Sequence, residues 1–326
     1  MKLQVGIIGG SGYTAGELLR LLVNHPNTEL NFVFSTTNAG KPLQVAHPDL
    51  IGDTDVVFTD TVNPDVDVLF LCLGHGRSRA FLEANTFSDK TKVIDLGNDF
   101  RLEADKSFQG RDFVYGLPEL QKDTIAKAKN IANPGCFATA IQSALLPLAS
   151  NDYVKEAVHV NATTGSTGAG VSPGATTHFS WRDNNFSSYK VFTHQHLGEI
   201  NQSLKQLQGS HNQPIFFIPN RGNFSKGIYA TVYTAFSGSD EDAVKLFKDY
   251  YKDAAFTVVS DTPISLKQVV NTNKCILHVE VKDGMVLVTS IIDNLIKGAS
   301  GQAIHNMNLM FGLDEKTGLN LKSSGF

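Results

Sequence analysis

The sequence predicts an α/β protein in two parts: a doubly wound parallel sheet of the nucleotide-binding kind, then an α/β domain built on a mixed sheet. Three observations carry this expectation. The chain opens with an apolar strand that runs into Gly9-Gly10-Ser11-Gly12 and an amphipathic helix. Short apolar segments then alternate with helical stretches, as in a parallel sheet covered on both faces. Later segments are longer and richer in alternating or β-branched residues, which suits a mixed or mainly antiparallel sheet. A chain of 326 residues is long enough for two such cores.

Taken in order, the first strand is Leu3 to Ile8, and Ala15, Leu18, Leu19 and Leu22 recur at helical spacing until His25-Pro26 ends the helix. Strands follow at Leu30 to Phe34, Val56 to Phe58, Val68 to Leu73 and Val93 to Leu96, with a helix from Arg77 to Ala84. After Cys136 the residues Ile141, Leu145 and Leu148 mark another helix, which is expected to close this first layer near Ala149. The second part offers strands at Ala157 to Thr164, Ile228 to Phe236, Cys275 to Val281 and Val286 to Ile292. A helix over Asp240 to Tyr251 turns Ala243, Leu246, Phe247 and Tyr250 to one side. Two polar loops, Thr163 to Thr177 and Pro219 to Gly227, are long enough to carry function.

Composition excludes several classes. A formal net charge of -4, with both signs scattered, leaves no footprint for nucleic acid and no basic arm for a membrane. The opening apolar run breaks at the glycines, short of a signal core or a span, so a cytoplasmic protein is expected. Cys72, Cys136 and Cys275 form no CxxC pair, which argues against a disulfide framework and a cysteine zinc site.

The chemistry concentrates in a few stretches. In the turn Gly9, Ser11, Gly12, Tyr13, Thr14, glycine lets the backbone approach a pyrophosphate while the helix terminus offers free N–H donors. The second strand ends in Ser35, Thr36 and Thr37 with Lys41 beyond, where an acidic residue would grip an unphosphorylated ribose; hydroxyls and a cation favour NADP over NAD. Cys136 follows Pro-Gly and opens a helix, a position that favours a thiolate nucleophile, although a lone cysteine is more often a buried filler. Cys72 and Cys275, within or at the start of apolar strands, read as core. In "FTHQHLGEI", His194 and His196 stand at i and i+2 as on a strand; without a third ligand nearby a metal is set aside, and one of the two is read as a general acid/base. Glu199 could orient the imidazole, bind an amino-acid substrate, or be a solvated carboxylate at a helix start.

Together these pieces resemble the N-acyl-γ-glutamyl-phosphate reductases of arginine biosynthesis. The likeness covers nearly the whole chain and is most specific in "IANPGCFATAIQSALLP", with "GGSGYTAGELLRLL", "DLGNDFRL", "YGLPEL", "HQHLGEI" and "SIIDNLIKGASGQAIHNMNLMFGLDE" in the family's order. It implies the fold of glyceraldehyde-3-phosphate and aspartate-semialdehyde dehydrogenases, with 1–149 and 298–326 binding NADP and 150–297 carrying the substrate and oligomer surfaces. It implies reduction of an acyl phosphate by NADPH through a thioester on Cys136, with His196 as acid/base, His194 as the alternative, and Glu199 beside them. Arg101 matches the position expected to contact the substrate phosphate, unless it makes a surface salt bridge, and Asn133 and His194 are placed with it on the substrate side. Ser166 and Gly168 match the substrate loop and, with Asn294, are assigned to the cofactor; a helix over 298–311 should pack back on the first domain. A homodimer or homotetramer is implied. Val171, where many relatives are basic, and the long stretch after Arg221-Gly222 leave the acyl group open between acetyl, succinyl and a carrier-linked form. Aspartate-semialdehyde dehydrogenase and a non-catalytic NADP-binding redox sensor stand as alternatives.

Overall fold

The computed structural model describes residues 2–74 and 76–325. Its elements are β1 (Leu3–Ile8), α1 (Tyr13–Leu22), β2 (Thr28–Phe34), β3 (Phe58–Thr59), β4 (Val68–Leu71), α2 (Ser78–Ala84), β5 (Lys92–Asp95), β6 (Ser107–Phe108), β7 (Arg111–Tyr115), α3 (Pro118–Lys127) and β8 (Asn130–Ala132). These are followed by α4 (Cys136–Ala149), β9 (Val158–Thr164), α5 (Phe179–Arg182), β10 (Ser187–Ser188), α6 (His196–Leu207), β11 (Ile215–Arg221), β12 (Ile228–Ala235), α7 (Asp240–Tyr251), β13 (Thr257–Ser260), β14 (Cys275–Lys282), β15 (Met285–Ile292) and α8 (Gly301–Met310). The chain divides into two units, residues 1–134 with 299–320, and 135–298 with 321–326.

In the first unit one sheet runs in the order β3-β2-β1-β4-β5-β8-β7-β6. Its pairs are parallel apart from the β6–β7 edge hairpin. β1 and β4 are apolar almost throughout because helices cover both faces, so their residues are buried without alternation. α1 buries Ala15, Leu18, Leu19, Leu21 and Leu22, the stripe read from the sequence with one neighbour added. α8 belongs to this unit, packing on α1 and α3. It starts later than the expected residue 298, because residues 296–300 form a single π-helical turn first.

In the second unit the sheet order is β10-β11-β9-β12-β15-β14-β13, with parallel β11–β9 and β13–β14 pairs among antiparallel ones. The strict alternation of β12, Ile228, Ala230, Val232 and Thr234 in and Tyr229 and Tyr233 out, shows one face covered and the other open. α4, α6 and α7 lie on the covered face. α7 starts where Ser239 Oγ accepts from the Asp242 N–H and the Asp242 carboxylate answers the Ser239 N–H. It buries Ala243, Phe247 and Tyr251, whereas Leu246 and Tyr250 pack only at the rim.

Two expectations are corrected here. The helix after Cys136 groups with the second unit and not the first: Phe137, Ile141, Leu145 and Leu148 join one core with Val160, Val232, Phe247 and Val288. Burying each large side chain stabilises by roughly 1.5–3 kcal/mol, so the helix follows the sheet that covers it. His194 and His196 are not on a strand: His196 is the first residue of α6, whose Ile200 and Leu204 are buried on α4 at helical spacing. The chain also holds α3, β7, β8, β11 and β13, which the periodicity reading did not mark.

Candidate active site

The first unit carries the glycine turn. Gly9 has φ 79°, and a Cβ there would stand 2.6 Å from the Cys72 carbonyl oxygen, so only glycine lets the chain pass between strands and turn into α1. Gly12 caps α1 without a side-chain bond, and the first-turn N–H groups around Tyr13 and Thr14 face no capping acceptor from that residue. Ser35 Oγ, buried at the end of β2, lies 2.9 Å from Ser11 Oγ and 3.4 Å from Thr37 Oγ1, while Asn38 Nδ2 donates to Ser11 Oγ at 3.1 Å. Thr36 is exposed beside them. An uncapped helix terminus against a hydroxyl cluster with no carboxylate fits a phosphorylated dinucleotide.

One residue of this site escaped the sequence reading. His47 Nε2 donates to the Gly10 carbonyl at 2.6 Å, and its ring occupies the space a Cβ on Gly16 would need, 2.7 Å from Nδ1. It braces the turn from below. No local spacing announces a histidine 37 residues from its partner.

At the other strand ends of this unit, Arg101 is buried, and its Nη2 donates to the Leu96 carbonyl at 3.2 Å. Nearby Asp95 accepts from Ser78 Oγ at 2.6 Å and the Gly97 N–H at 3.0 Å, and burial pushes its carboxyl up to about 6. Asn133 has both ends of its amide in use: Nδ2 donates to the Ala299 carbonyl and Oδ1 accepts from Asn306 Nδ2. Residues 299–320 of this unit come back to the glycine turn, where Ser300 Oγ donates to the Thr14 carbonyl at 2.7 Å.

The second unit holds the candidate nucleophile. Cys136 is the first residue of α4, and it is the one cysteine not buried. Gly135, the N-cap, offers no side-chain cap, so the positive end of a 14-residue helix acts on the sulfur. Burial pushes the Cys72 thiol up to about 12, and Cys275 is wholly enclosed with Sγ 3.7 Å from Ser290 Oγ. Both are buried, as core-filling cysteines are.

Around Cys136 the tertiary fold assembles the histidine block. Glu199 Oε2 accepts from the Gly135 N–H at 2.9 Å, and Oε1 lies 4.0 Å from His196 Nε2. A Cβ on Gly135 would stand 2.3 Å from that same Nε2 and 2.6 Å from Cε1, so the imidazole fills the place of the missing side chain. Gly298 is tight in the same way, its absent Cβ 2.7 Å from Cys136 Cβ. His194 packs beside His196: its Nδ1 accepts from the His196 N–H at 3.2 Å, its ring meets Phe137 edge-on at 5.4 Å, and its centroid lies 4.5 Å from that of the His196 ring. His196 and Glu199 thus converge on the turn before Cys136, and His194 holds the start of α6. The Ser166 N–H donates to the Phe224 carbonyl at 2.9 Å, and Gly168 and Asn294 come together in the same loops. Asn294 Nδ2 donates to Thr167 Oγ1, its Oδ1 accepts from the Gly227 N–H at 2.6 Å, and Gly168 packs on Thr164 and Asn294, which laces the two polar loops. Among the described residues no group of three or more His, Cys, Asp or Glu side chains could hold a metal ion, and no helix is long and apolar enough to cross a membrane.

Residues 4–128 match the family model of the semialdehyde dehydrogenase NAD binding domain, and residues 136–294 that of the semialdehyde dehydrogenase dimerisation domain. The N-acetyl-gamma-glutamyl-phosphate reductase of Flavobacterium johnsoniae is 62% identical over 99% of this chain and 100% of its own. The chain belongs to the N-acetyl-gamma-glutamyl-phosphate reductase family. The reductase of Christiangramia forsetii, 61% identical over the same shares, agrees. As a member of this reductase family the protein is an oxidoreductase with a nicotinamide-dinucleotide domain. Its fold is that of the aspartate semialdehyde dehydrogenases: the Vibrio cholerae aspartate semialdehyde dehydrogenase II complexed with ASA superposes with a TM-score of 0.71 at 16% identity, covering 96% of this chain and 99% of that one. The Candida albicans enzyme with NADP gives 0.69 at 15% identity, over 95% and 99%.

Proposed function

We propose that this enzyme reduces N-acetyl-γ-glutamyl phosphate to N-acetyl-glutamate semialdehyde and phosphate with NADPH, through a thioester on Cys136, in the cytoplasm. The observation that supports it is the convergence on one helix terminus of the partly exposed Cys136 and the imidazole of His196 over Gly135. Cys136 Sγ attacks the γ-carbonyl carbon, the C–O bond to phosphate breaks, and the thioester remains. NADPH, when bound by Gly9, Ser11, Gly12, Tyr13, Thr14, Ser35 and Thr36, supplies the hydride that reduces it. His196 gives a proton to the oxygen of the resulting thiohemiacetal and takes it back as the C–S bond breaks, which releases the aldehyde and restores the thiolate. Glu199 orients His196 and the Gly135 N–H together. Arg101 serves the departing phosphate, Asn133 acts through the turn it holds before Pro134, and His194 acts by fixing α6. Ser166, Gly168 and Asn294 shape the loops on the nicotinamide side. In this reading the glycine turn of the first unit binds the dinucleotide, and Cys136, His196 and Glu199 of the second carry the covalent chemistry.

The reaction is tested in reverse. Enzyme, phosphate and NADP are incubated with N-acetyl-glutamate semialdehyde, its N-succinyl analogue, or aspartate semialdehyde, and NADPH absorbance is followed. Fastest turnover is expected with the acetyl compound; preference for another compound reassigns the substrate, and no turnover with any sinks the reading.

A homodimer, or a tetramer built from dimers, forms through the open sheet face of the second unit. Phe192, Phe216, Tyr229 and Tyr233 are exposed there, and His159 stacks on Tyr233 with ring centroids 5.1 Å apart. Such a contiguous apolar face is costly to leave in water. Tyr233→Arg should shift the sedimentation coefficient toward that of a monomer, and an unchanged value would remove this face from the interface.

A further inference from the structure

Tyr189 stands beside Cys136, Arg221 stands against Tyr189, and neither takes part in the steps above. Tyr189 packs with Cys136 against the same core, and burial together with the Cys136 charge pushes its phenol up to about 12, opposed by a hydrogen bond from Arg221. The Arg221 guanidinium lies 4.7 Å from the centre of the Tyr189 ring, and its Nε is buried without a hydrogen-bond acceptor among the described residues. Behind this pair Arg182, 6% exposed, spends its donors on neutral oxygens: Nη1 on the carbonyls of Arg221 at 2.6 Å and Asn185 at 3.2 Å, and Nη2 on Ser187 Oγ at 3.0 Å. The two residues are therefore joined through the Arg221 carbonyl, and among the described residues no carboxylate shares these bonds.

The backbone beside Tyr189 is strained as well. Lys190 and Phe192 hold φ of 45° and 60°, left-handed values that bulky residues avoid. Bonds from the Tyr189 and Phe192 N–H groups to the carbonyls of Pro219 and Phe217 on β11 impose them. Strain of this kind persists where the surrounding fold must place a side chain.

We propose that Arg221, assisted by the Tyr189 hydroxyl, receives the α-carboxylate of the acyl-glutamyl substrate, and that Arg182 is its positioning residue. This rests on the reaction proposed above. The substrate carries its carboxylate on a carbon two methylenes from the carbonyl that Cys136 attacks, so one end is held by sulfur while the other needs a cation. A planar guanidinium edge matches two carboxylate oxygens, and a phenol can donate to one of them. Phosphate presents the same anionic oxygens, and the test separates the two.

In the reverse assay, N-acetyl-glutamate semialdehyde is compared with 4-acetamidobutanal, which lacks only the carboxylate. The wild-type enzyme should favour the carboxylated aldehyde by about 10²-fold in kcat/KM. Arg221→Met should raise KM for that aldehyde by about the same factor, leave kcat within roughly threefold, and abolish the preference. Arg221→Lys, which keeps a charge without the fork, should retain part of it, about 10-fold. Tyr189→Phe should lose a smaller share. A preference preserved in Arg221→Met overturns the proposal, and so does a rise confined to KM for phosphate, which would give Arg221 to the phosphate instead. Wild-type turnover with the carboxylated aldehyde tests the reaction; the ratio between the two aldehydes tests Arg221.

Discussion

Cys136→Ser is expected to lower turnover by more than about 10⁴-fold while NADPH affinity stays within about threefold. A hydroxyl at the start of α4 keeps the shape of the site but is far too weak an acid for the helix terminus to ionise it. No other cysteine can substitute, since Cys72 and Cys275 are both buried. NADPH binding is measured by fluorescence titration and turnover by absorbance. Near-wild-type turnover in this variant would mean that no thioester forms on Cys136.

Gly135→Ala is expected to fall as far as His196→Asn, roughly 10²- to 10⁴-fold in turnover. The added methyl would stand 2.3 Å from His196 Nε2, closer than real contacts allow. The imidazole is 5% exposed and packed against Phe137 and His194, so it can move only by leaving its place over the turn. If both substitutions act through His196, combining them should add little to either alone, because residues in one unit are not additive. Circular dichroism checks that the fold is kept. Full activity in Gly135→Ala would sink His196 as the acid/base. A double variant far worse than either single one would mean that Gly135 acts by another route.

Much of the cofactor half was legible because its signals are local. A strand, four residues rich in glycine and an amphipathic helix follow one another without interruption, so Gly9 to Thr14 could be placed without any tertiary contact. α7 was legible from Asp240 to Tyr251 for the same reason, its capping pair lying three residues apart. β11 was not. Pro219 inside "IFFIPNR" reads as a break, yet the strand continues through it between β10 and β9, and Arg221 at its end passed for loop. The histidine block failed in a different way: "HQH" alternates like a strand, and only the later Ile200 and Leu204 show the helix.

By itself the sequence determined the α/β class, the glycine turn and the cysteine at a helix start, since each depends on neighbours within a few residues. Its resemblance to a known family supplied the roles of Cys136 and His196. Only the tertiary structure decided that α4 packs on the second sheet, that Glu199 reaches across 64 residues to the Gly135 N–H, and that Tyr189, Arg182 and Arg221 gather into one cluster. Local propensity names the element a residue belongs to. Which distant element covers its apolar face, and which distant polar atom meets its hydrogen bond, follows from packing the whole core at once.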